Sequence, residues 1–292
     1  MCELAGVSRA SFYRHWEEAA PSAAEMALRE AVQQAALAHR FYGYRRVLLE
    51  VHKAGYQVGS KVVRRLMRAD NLLAIRRRKF VATTDSQHGF RVYPNLAAHL
   101  ELTDVNQLWV ADLTYVRLQA EFVFLAVVLD AFSRRAVGWA LGRELDANLA
   151  LAALNVAIDS RHPLPGLVHH SDRGSQYASA AYVGCLESIQ AVPSMSRAGR
   201  PWENGKCESF IKTLKQEEIN ARTYVSLEEL GQHVEEFMAQ IYNRQRLHSA
   251  LGYRSPAEFE QQQIGAADGS GWRPAALLLP RYEECGTGEA VR

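Results

Sequence analysis

The chain has 292 residues, 48% of them hydrophobic and 23% charged, with a formal net charge of +2. That length suits one large domain with one or two small ones, and the composition excludes wholesale disorder. No run of 18 apolar residues occurs, the N-terminus lacks the apolar stretch of a signal peptide, and Cys2, Cys185, Cys207 and Cys285 form no C-x-x-C pair. A membrane span, a disulfide framework and a structural zinc are therefore not expected, and a reducing cytoplasm is.

The charge is unevenly spread. Residues 1–81 hold 15 Lys and Arg against 7 Asp and Glu, leaving 19 against 25 for the remainder. A basic front module on a mildly acidic body suggests nucleic acid as partner.

In chain order, residues 4–16 (LAGVSRASFYRHW) look like the second half of a helix-turn-helix whose first helix would lie upstream of Met1. Ala23 to His39 reads as a helix with Leu28, Val32 and Leu37 on its apolar side. Arg45 to Lys53 reads as another, Gly55 to Gly59 as a turn, and Ser60 as the N-cap of a third helix. There Val62, Val63, Leu66 and Met67 form the apolar face and Lys61, Arg64, Arg65 and Arg68 the outer one; Arg76, Arg77, Arg78 and Lys79 follow. A cationic outer face on such a motif is what phosphate neutralisation and groove docking require. A solvated basic face on a small helical domain is the alternative.

Residues 81–106 are weakly periodic and read as a linker between a basic region (1–80) and a catalytic core (107–262). Leu108–Leu118, Phe122–Asp130 and Ala136–Leu141 read as an antiparallel meander, Asn148–Ser160 as a helix, and Leu167–Ser171 as a fourth strand. Ala178–Ile189 is predicted helical, Ala191–Ser196 a strand, Arg197–Pro201 a flexible loop, and Trp202–Ile219 and Leu227–Asn243 helices. From Gln261 onward the chain looks loop-like, with residues 263–292 expected to be disordered. The expected fold class is α/β, a mixed five-stranded sheet with flanking helices in an RNase H-like order, preceded by a small all-α domain.

The stretch 167–215 organises the rest. A short apolar strand stops on Asp172. Further on, Cys207, Phe210, Ile211 and Leu214 fall on one helical stripe, with Glu208, Lys212 and Lys215 on the neighbouring flank. Two carboxylates beside two cations suit a divalent metal next to a phosphate backbone, and Asp112 supplies a third acid. Singly, each acid has a plainer reading: Asp112 a strand-end acid, Asp172 an Asx-turn residue before Gly174, Glu208 a surface partner of Lys212. Glu203 rivals Glu208 but lies at the helix start, where an acid merely suits the dipole. His169 and His170 would contact phosphate, tune the acid or pack the strand. Cys207 is expected in the core. His248 and Ser249 lack the G-x-S-x-G elbow of a hydrolase.

Asp112 and Asp172 are 60 positions apart, and 35 residues separate Asp172 from Glu208. With WVADLTYV (109–116), FVFLAVVLDAFSRRAVGWAL (122–141), HHSDRGSQY (169–177), SMSRAGRPWENGKCESF (194–210) and YNRQRLHSALGYRSPAEF (242–259), the chain resembles the OrfB-type insertion-sequence transposases, relatives of retroviral integrases, over roughly residues 1–260. The resemblance implies an RNase H-like fold, a catalytic and metal-binding triad of Asp112, Asp172 and Glu208, and two Mg²⁺ ions for which Mn²⁺ would substitute. It also implies transposon ends as substrate. His170 and Asn204, within the same motifs, are candidate supports of the site, and Lys212 and Lys215 match positions that hold DNA ends. Partners would be terminal repeats and target DNA, a second copy on DNA, and a helix-turn-helix product of the upstream frame. The alternatives are an RNase H-like nuclease that only hydrolyses and an inactive, transposase-derived DNA-binding regulator.

Overall fold

A computed structural model of the protein describes residues 22–72 and 90–267. The chain divides into two compact units, residues 1–79 and 80–292. The predicted half-motif at 4–16, the cluster Arg76, Arg77, Arg78 and Lys79, and the tail from 268 fall outside the described residues.

In the first unit, α1 (Ala23–Ala38), α2 (Tyr44–Lys53) and α3 (Ser60–Ala69) enclose a core of Val32, Val47, Val51, Val63, Leu66 and Met67. Ser22 caps α1 by accepting from the Glu25 amide. Leu37, expected on the apolar side, is 64% exposed. Ala36 is buried instead, because it lies one turn after Val32 and Leu37 lies about 100° round from it. Gly59, not Ser60, is the cap of α3, and Ser60 is its first helical residue. Beyond α3, Asp70 accepts from Arg29 Nε at 2.9 and 3.0 Å and from Gln33 Nε2 at 2.9 Å. These donors hold its carboxyl below the usual range and tie the end of α3 to α1. Lys61, Arg64, Arg65 and Arg68 are all exposed, although Arg65 pairs with Glu25 at 3.0 Å and Arg64 lies 5.8 Å from the Tyr44 ring.

The second unit is built on a sheet of β1 (Leu108–Arg117), β2 (Phe122–Asp130), β3 (Ala136–Gly142), β4 (Val168–Ser171) and β5 (Val192–Met195), in the order β3-β2-β1-β4-β5. The first three strands form an antiparallel meander, while β4 and β5 run parallel to β1. This is the RNase H-like arrangement expected from the strand and helix order. Helices α4 (Ala147–Arg161) and α5 (Ala180–Ser188) cover one face, with Trp109, Ala111, Leu154, Tyr182 and Leu186 buried between. The other face is covered by α6 (Gly205–Glu217) and α7 (Leu227–Glu236), over Val110, Val116, Leu125, Val127 and Val168.

Several boundaries differ from expectation for identifiable reasons. The predicted helix from Trp202 begins as a 3-10 turn, Pro201–Asn204, because proline lacks a donor and suits only a first turn. It ends at Glu217. The helix beyond Leu227 widens into a π-helix at Phe237–Gln245, where the Asn243 amide both accepts from and donates to the Ala136 backbone at 2.9 Å. The loop expected from Gln261 is instead part of α8 (Pro256–Ala267). Ser255 and Glu258 cap that helix reciprocally at 3.3 and 2.9 Å, with proline at the first position, a pattern legible as S-P-A-E. The described part of the expected linker belongs to the packed body: Leu96, Ala97, Leu100 and Leu102 lie on the core, and the Leu96 amide donates to Ser194 Oγ at 2.9 Å.

Gly138 on β3 lets α4 approach the sheet. A Cβ there would stand 2.2 Å from the Ala153 carbonyl oxygen and 2.8 Å from Ala157 Cβ. Because the obstruction includes backbone, Gly138→Ala is expected to destabilise the protein by about 3 kcal/mol, at the upper end of overpacking costs. A lower urea midpoint at unchanged slope would bear this out, and an unchanged midpoint would refute it.

Candidate active site

Two of the three acids are set by strand register. The β1–β4 ladder ends with Val110 opposite His170. Carried two residues further, the same offset brings Asp172, the residue just after β4, level with Asp112 on β1. The offset of 60 positions read from the sequence is thus the register offset of the ladder. Val110 and Val168 belong to the cluster that includes Cys207, Phe210 and Leu214. Alternation then turns Asp112 and Asp172 toward α6, whose first turn carries Glu208.

The acids act on one another. Asp112 is half-buried, and its carboxyl is pushed up to about 8, first by burial and then by the charge of Asp172, with a smaller push from Glu208. The Leu113 amide, donating to Oδ1 at 2.9 Å, and the Lys215 ammonium oppose the shift. Asp172 accepts from the Gly174 amide at 2.9 Å. A Cβ on Gly174 would stand 3.0 Å from that carboxylate oxygen, so glycine suits this close turn. The Asx-turn reading of Asp172 holds alongside its place beside Asp112.

The helix is fixed to the strand by side chains around the acids. Asn204 is buried and donates through Nδ2 to the Ala111 carbonyl at 2.9 Å, adjoining Asp112, while its own Oδ1 finds no hydrogen-bond partner among the described residues. Lys206 Nζ donates to the Ala131 carbonyl at 3.0 Å. Cys207 is fully buried, and its thiol is pushed well up by burial and by all three acids, which leaves it a packing residue as expected. Lys215 lies with Nζ 4.3 Å from the Tyr115 ring centroid and interacts with Asp112. Lys212, predicted on the same flank, is exposed.

His169 and His170 both pack. His170 bridges Ser194 Oγ at 2.8 Å and Ser196 Oγ at 3.0 Å, and His169 bonds the Tyr182 hydroxyl at 3.0 Å. Burial lowers them to about 4 and about 3 respectively, so neither offers a cation to phosphate at neutral pH. Through the two serines His170 joins β4 to β5 and the residue after it. Tyr177 went unmarked in the sequence: it is buried, its hydroxyl lacks a partner among the described residues, and burial with the charges of Asp112 and Asp172 suppresses its ionisation. Trp202 also went unmarked, at 66% exposed with the Arg200 guanidinium 6.0 Å from its ring. A tryptophan in a run of polar and charged residues was the signal for it.

Three half-buried carboxyl groups, two of which act on the third, are the oxygen-rich kind of set that hard divalent cations take. Among the described residues no three His, Cys, Asp or Glu side chains stand together as a ready-made ligand cage. Asp112, Asp172 and Glu208 are near enough for the other two charges to act on Asp112.

Integrase core domain families match residues 103–201 and 190–256, and an HTH-like domain family matches residues 23–80. A 31 kDa protein of insertion element IS600 from Shigella sonnei is 38% identical over 267 residues, covering 90% of this chain and 98% of that protein. Transposase InsF of insertion sequence IS3A from Escherichia coli K12 is 32% identical over 270 residues, covering 90% and 94%. The chain belongs to the IS3 family of insertion-sequence transposases. The catalytic core domain of HTLV-2 integrase, solved in complex with magnesium, aligns with 54% of this transposase and 97% of its own length, at 15% identity and a TM-score of 0.41.

Glu203, the rival third acid, has another task. It accepts from the Arg197 amide at 2.8 Å, Arg197 Nε at 2.7 Å and Asn95 Nδ2 at 2.8 Å. The predicted flexible loop is therefore braced. Arg197 chiefly holds this carboxyl down at about 2. A depressed carboxyl contributes fully above its ordinary value of 4.5 and loses that contribution as pH falls toward 2. Protection of the Arg197 amide from hydrogen exchange, corrected for intrinsic rate, is expected to persist to about pH 3 in the wild type and to be low at all pH in Glu203→Gln. Equal protection in both proteins would remove the brace.

Proposed function

We propose that this transposase cuts DNA strands at the ends of its insertion sequence and joins the freed 3′-hydroxyl to target DNA, with Asp112, Asp172 and Glu208 as the catalytic acids. The observation that carries the reading is the push on Asp112 by Asp172 and Glu208, in a chain of this family. Placing three anionic groups around one cleft is unfavourable for stability, and a divalent cation relieves it. The donor set fits Mg²⁺, with Mn²⁺ as a substitute; all three acids would hold the two ions. When bound, such ions supply Lewis-acid stabilisation of an in-line phosphoryl displacement.

The remaining chemistry belongs to the chain. Lys215, beside Asp112 and seated on Tyr115, offers an ammonium to the phosphate backbone, and Lys212 extends that charge toward solvent. Asn204 and His170 keep α6 and the β4–β5 edge at fixed distance from β1, so the acids meet the strand in one geometry. The division of labour follows the charge: the basic region of residues 1–80 grips DNA through Lys61, Arg64, Arg65, Arg68 and the cluster Arg76 to Lys79, and the core of residues 107–262 does the chemistry. Two element ends must meet for joining, which calls for at least two copies on DNA, with or without the upstream-frame product. Among the described residues no helix is long and apolar enough to cross a membrane, and the cytoplasm, where the DNA lies, is the proposed site of action.

Asp112→Asn, Asp172→Asn and Glu208→Gln are each expected to lower 3′-end nicking and joining at least about a hundredfold, with non-additive losses in pairs because the site acts as a unit. Wild-type activity in Glu208→Gln would refute the assignment. Joining by the wild type separates a transposase from a plain nuclease.

A second readout concerns stability. Because Asp112 ionises near 8 when folded and near 3.8 when not, the folded state loses stability as pH rises through that window. Without divalent ions, Asp112→Asn is expected to melt higher than wild type at pH 8, and Mg²⁺ to raise the wild-type melting temperature more than the variant's. The reverse order would refute the coupling.

For the basic region, Lys61→Gln with Arg68→Gln is expected to lower the slope of log affinity against log salt by about 2, near 0.9 for each phosphate that is no longer neutralised. An unchanged slope would place DNA elsewhere.

A further inference from the structure

Beyond the carboxylates, β1 runs on without β4. Their ladder stops at Val110, while β1 pairs with β2 as far as Arg117 opposite Phe122. Along this half-open stretch aromatic rings and cations alternate in contact. Lys215 lies 4.3 Å from the Tyr115 ring centroid, the rings of Tyr115 and Phe122 meet edge to face at 5.9 Å, and the Arg117 guanidinium lies 5.5 Å from the Phe122 ring. Tyr115 and Phe122 alternate with the buried Val116 and Val123, so they occupy the face away from α6, and Lys215 of α6 meets Tyr115 at the strand's unpaired edge.

Three features distinguish this row from an ordinary packed pair. Phe122 is 52% exposed, so its ring surface is not spent on the core. The row begins at a lysine that interacts with Asp112, which makes it continuous with the proposed active site. The nearest carboxylate on the hairpin, Glu121, is engaged by Arg143 Nε at 3.2 and 3.3 Å. A large apolar ring surface flanked by cations matches a nucleic-acid strand with its bases unstacked: rings take the base faces and cations take the phosphates.

We propose that Lys215, Tyr115, Phe122 and Arg117 form a track for a short unpaired segment of the DNA strand leaving the carboxylate cleft, with bases stacking on Tyr115 and Phe122. This rests on the reading of the cleft as a DNA-cutting site. A duplex pairs its bases internally and leaves no face for these rings, so the track favours ends that are frayed or single-stranded. No contact depends on which base is present, because every base has a π-face.

The test uses the full-length protein, without divalent ions so that no cutting occurs, and fluorescence anisotropy with three labelled DNAs: a blunt duplex, the same duplex with a four-nucleotide single-stranded extension, and that extension made of abasic sites. Phe122→Leu keeps an apolar side chain without a ring, and Phe122→Tyr keeps the ring; circular dichroism checks folding of both. The track predicts that Phe122→Leu loses about tenfold or more in affinity for the extended DNA, at 1–3 kcal/mol per stacked base. Phe122→Tyr should bind like wild type, and all three proteins should bind the blunt and abasic DNAs alike. Phe122→Leu binding the extended DNA as tightly as wild type would overturn the track, as would an equal loss on the abasic extension. A change in sedimentation of Phe122→Leu without DNA would assign the patch to a second copy and likewise overturn it. In any of these cases the DNA-cutting reading stands if wild type still binds the blunt duplex, and it falls with the track if wild type binds none of the three.

Discussion

Mutual repulsion among like charges is the constraint around which this molecule is arranged. Free carboxylates separate in water. Here the register of two parallel strands sets Asp112 beside Asp172, and a helix anchored by three fully or nearly fully buried side chains, Cys207, Phe210 and Leu214, sets Glu208 above them. None of the three can retreat without breaking a sheet ladder or unseating a helix. The charge on Asp112 gives way: burial first, then Asp172 and to a smaller extent Glu208, push its carboxyl up. The apolar stripe of α6, the amide of Asn204 on Ala111 and the lysine on Ala131 all serve to hold that unfavourable grouping in place.

Much of this was legible in the sequence. Strand and helix identities followed from periodicity, because β1 to β3 are long and either alternate or run continuously apolar, and α6 has a clean stripe. The acids were legible because their spacing is a property of the fold: 60 positions is the offset of the β1–β4 ladder. What escaped were interactions that join distant positions. Glu203 looked like an acid at a helix start, and its partners Arg197 and Asn95 are nothing a linear reading would pair with it. For His169 and His170 the sequence left phosphate contact, acid tuning and strand packing open, and Tyr182, Ser194 and Ser196 against them make it packing. The described part of the presumed linker packs because its leucines, irregularly spaced, meet a surface that no local pattern encodes.

The two units put their charge to different uses. The cations of α3 are exposed above a small apolar core, with Arg29 on Asp70 and Arg65 on Glu25 tying α1 to α3. In the sheet unit, Arg135 and Arg161 converge on Glu260 at 2.6 and 2.8 Å, and Arg246 meets Glu217 at 2.8 Å. Those pairs are largely withdrawn from solvent and hold α8 and the chain after the π-helix. The cations of α3 are mainly exposed, whereas these arginines of the sheet unit are mainly buried in ion pairs.

The register that pairs β1 with β4 also governs when the site comes into being. The meander of β1 to β3 closes over short separations, and such local pairing forms early. Strand β4 must return to β1 across the whole of β2, β3 and α4, and α6 arrives later still. A chain emerging from the ribosome therefore holds Asp112 alone until β4 has followed, and gains Glu208 only with α6. The carboxylate grouping is completed late in folding, after the meander and α4 are in place.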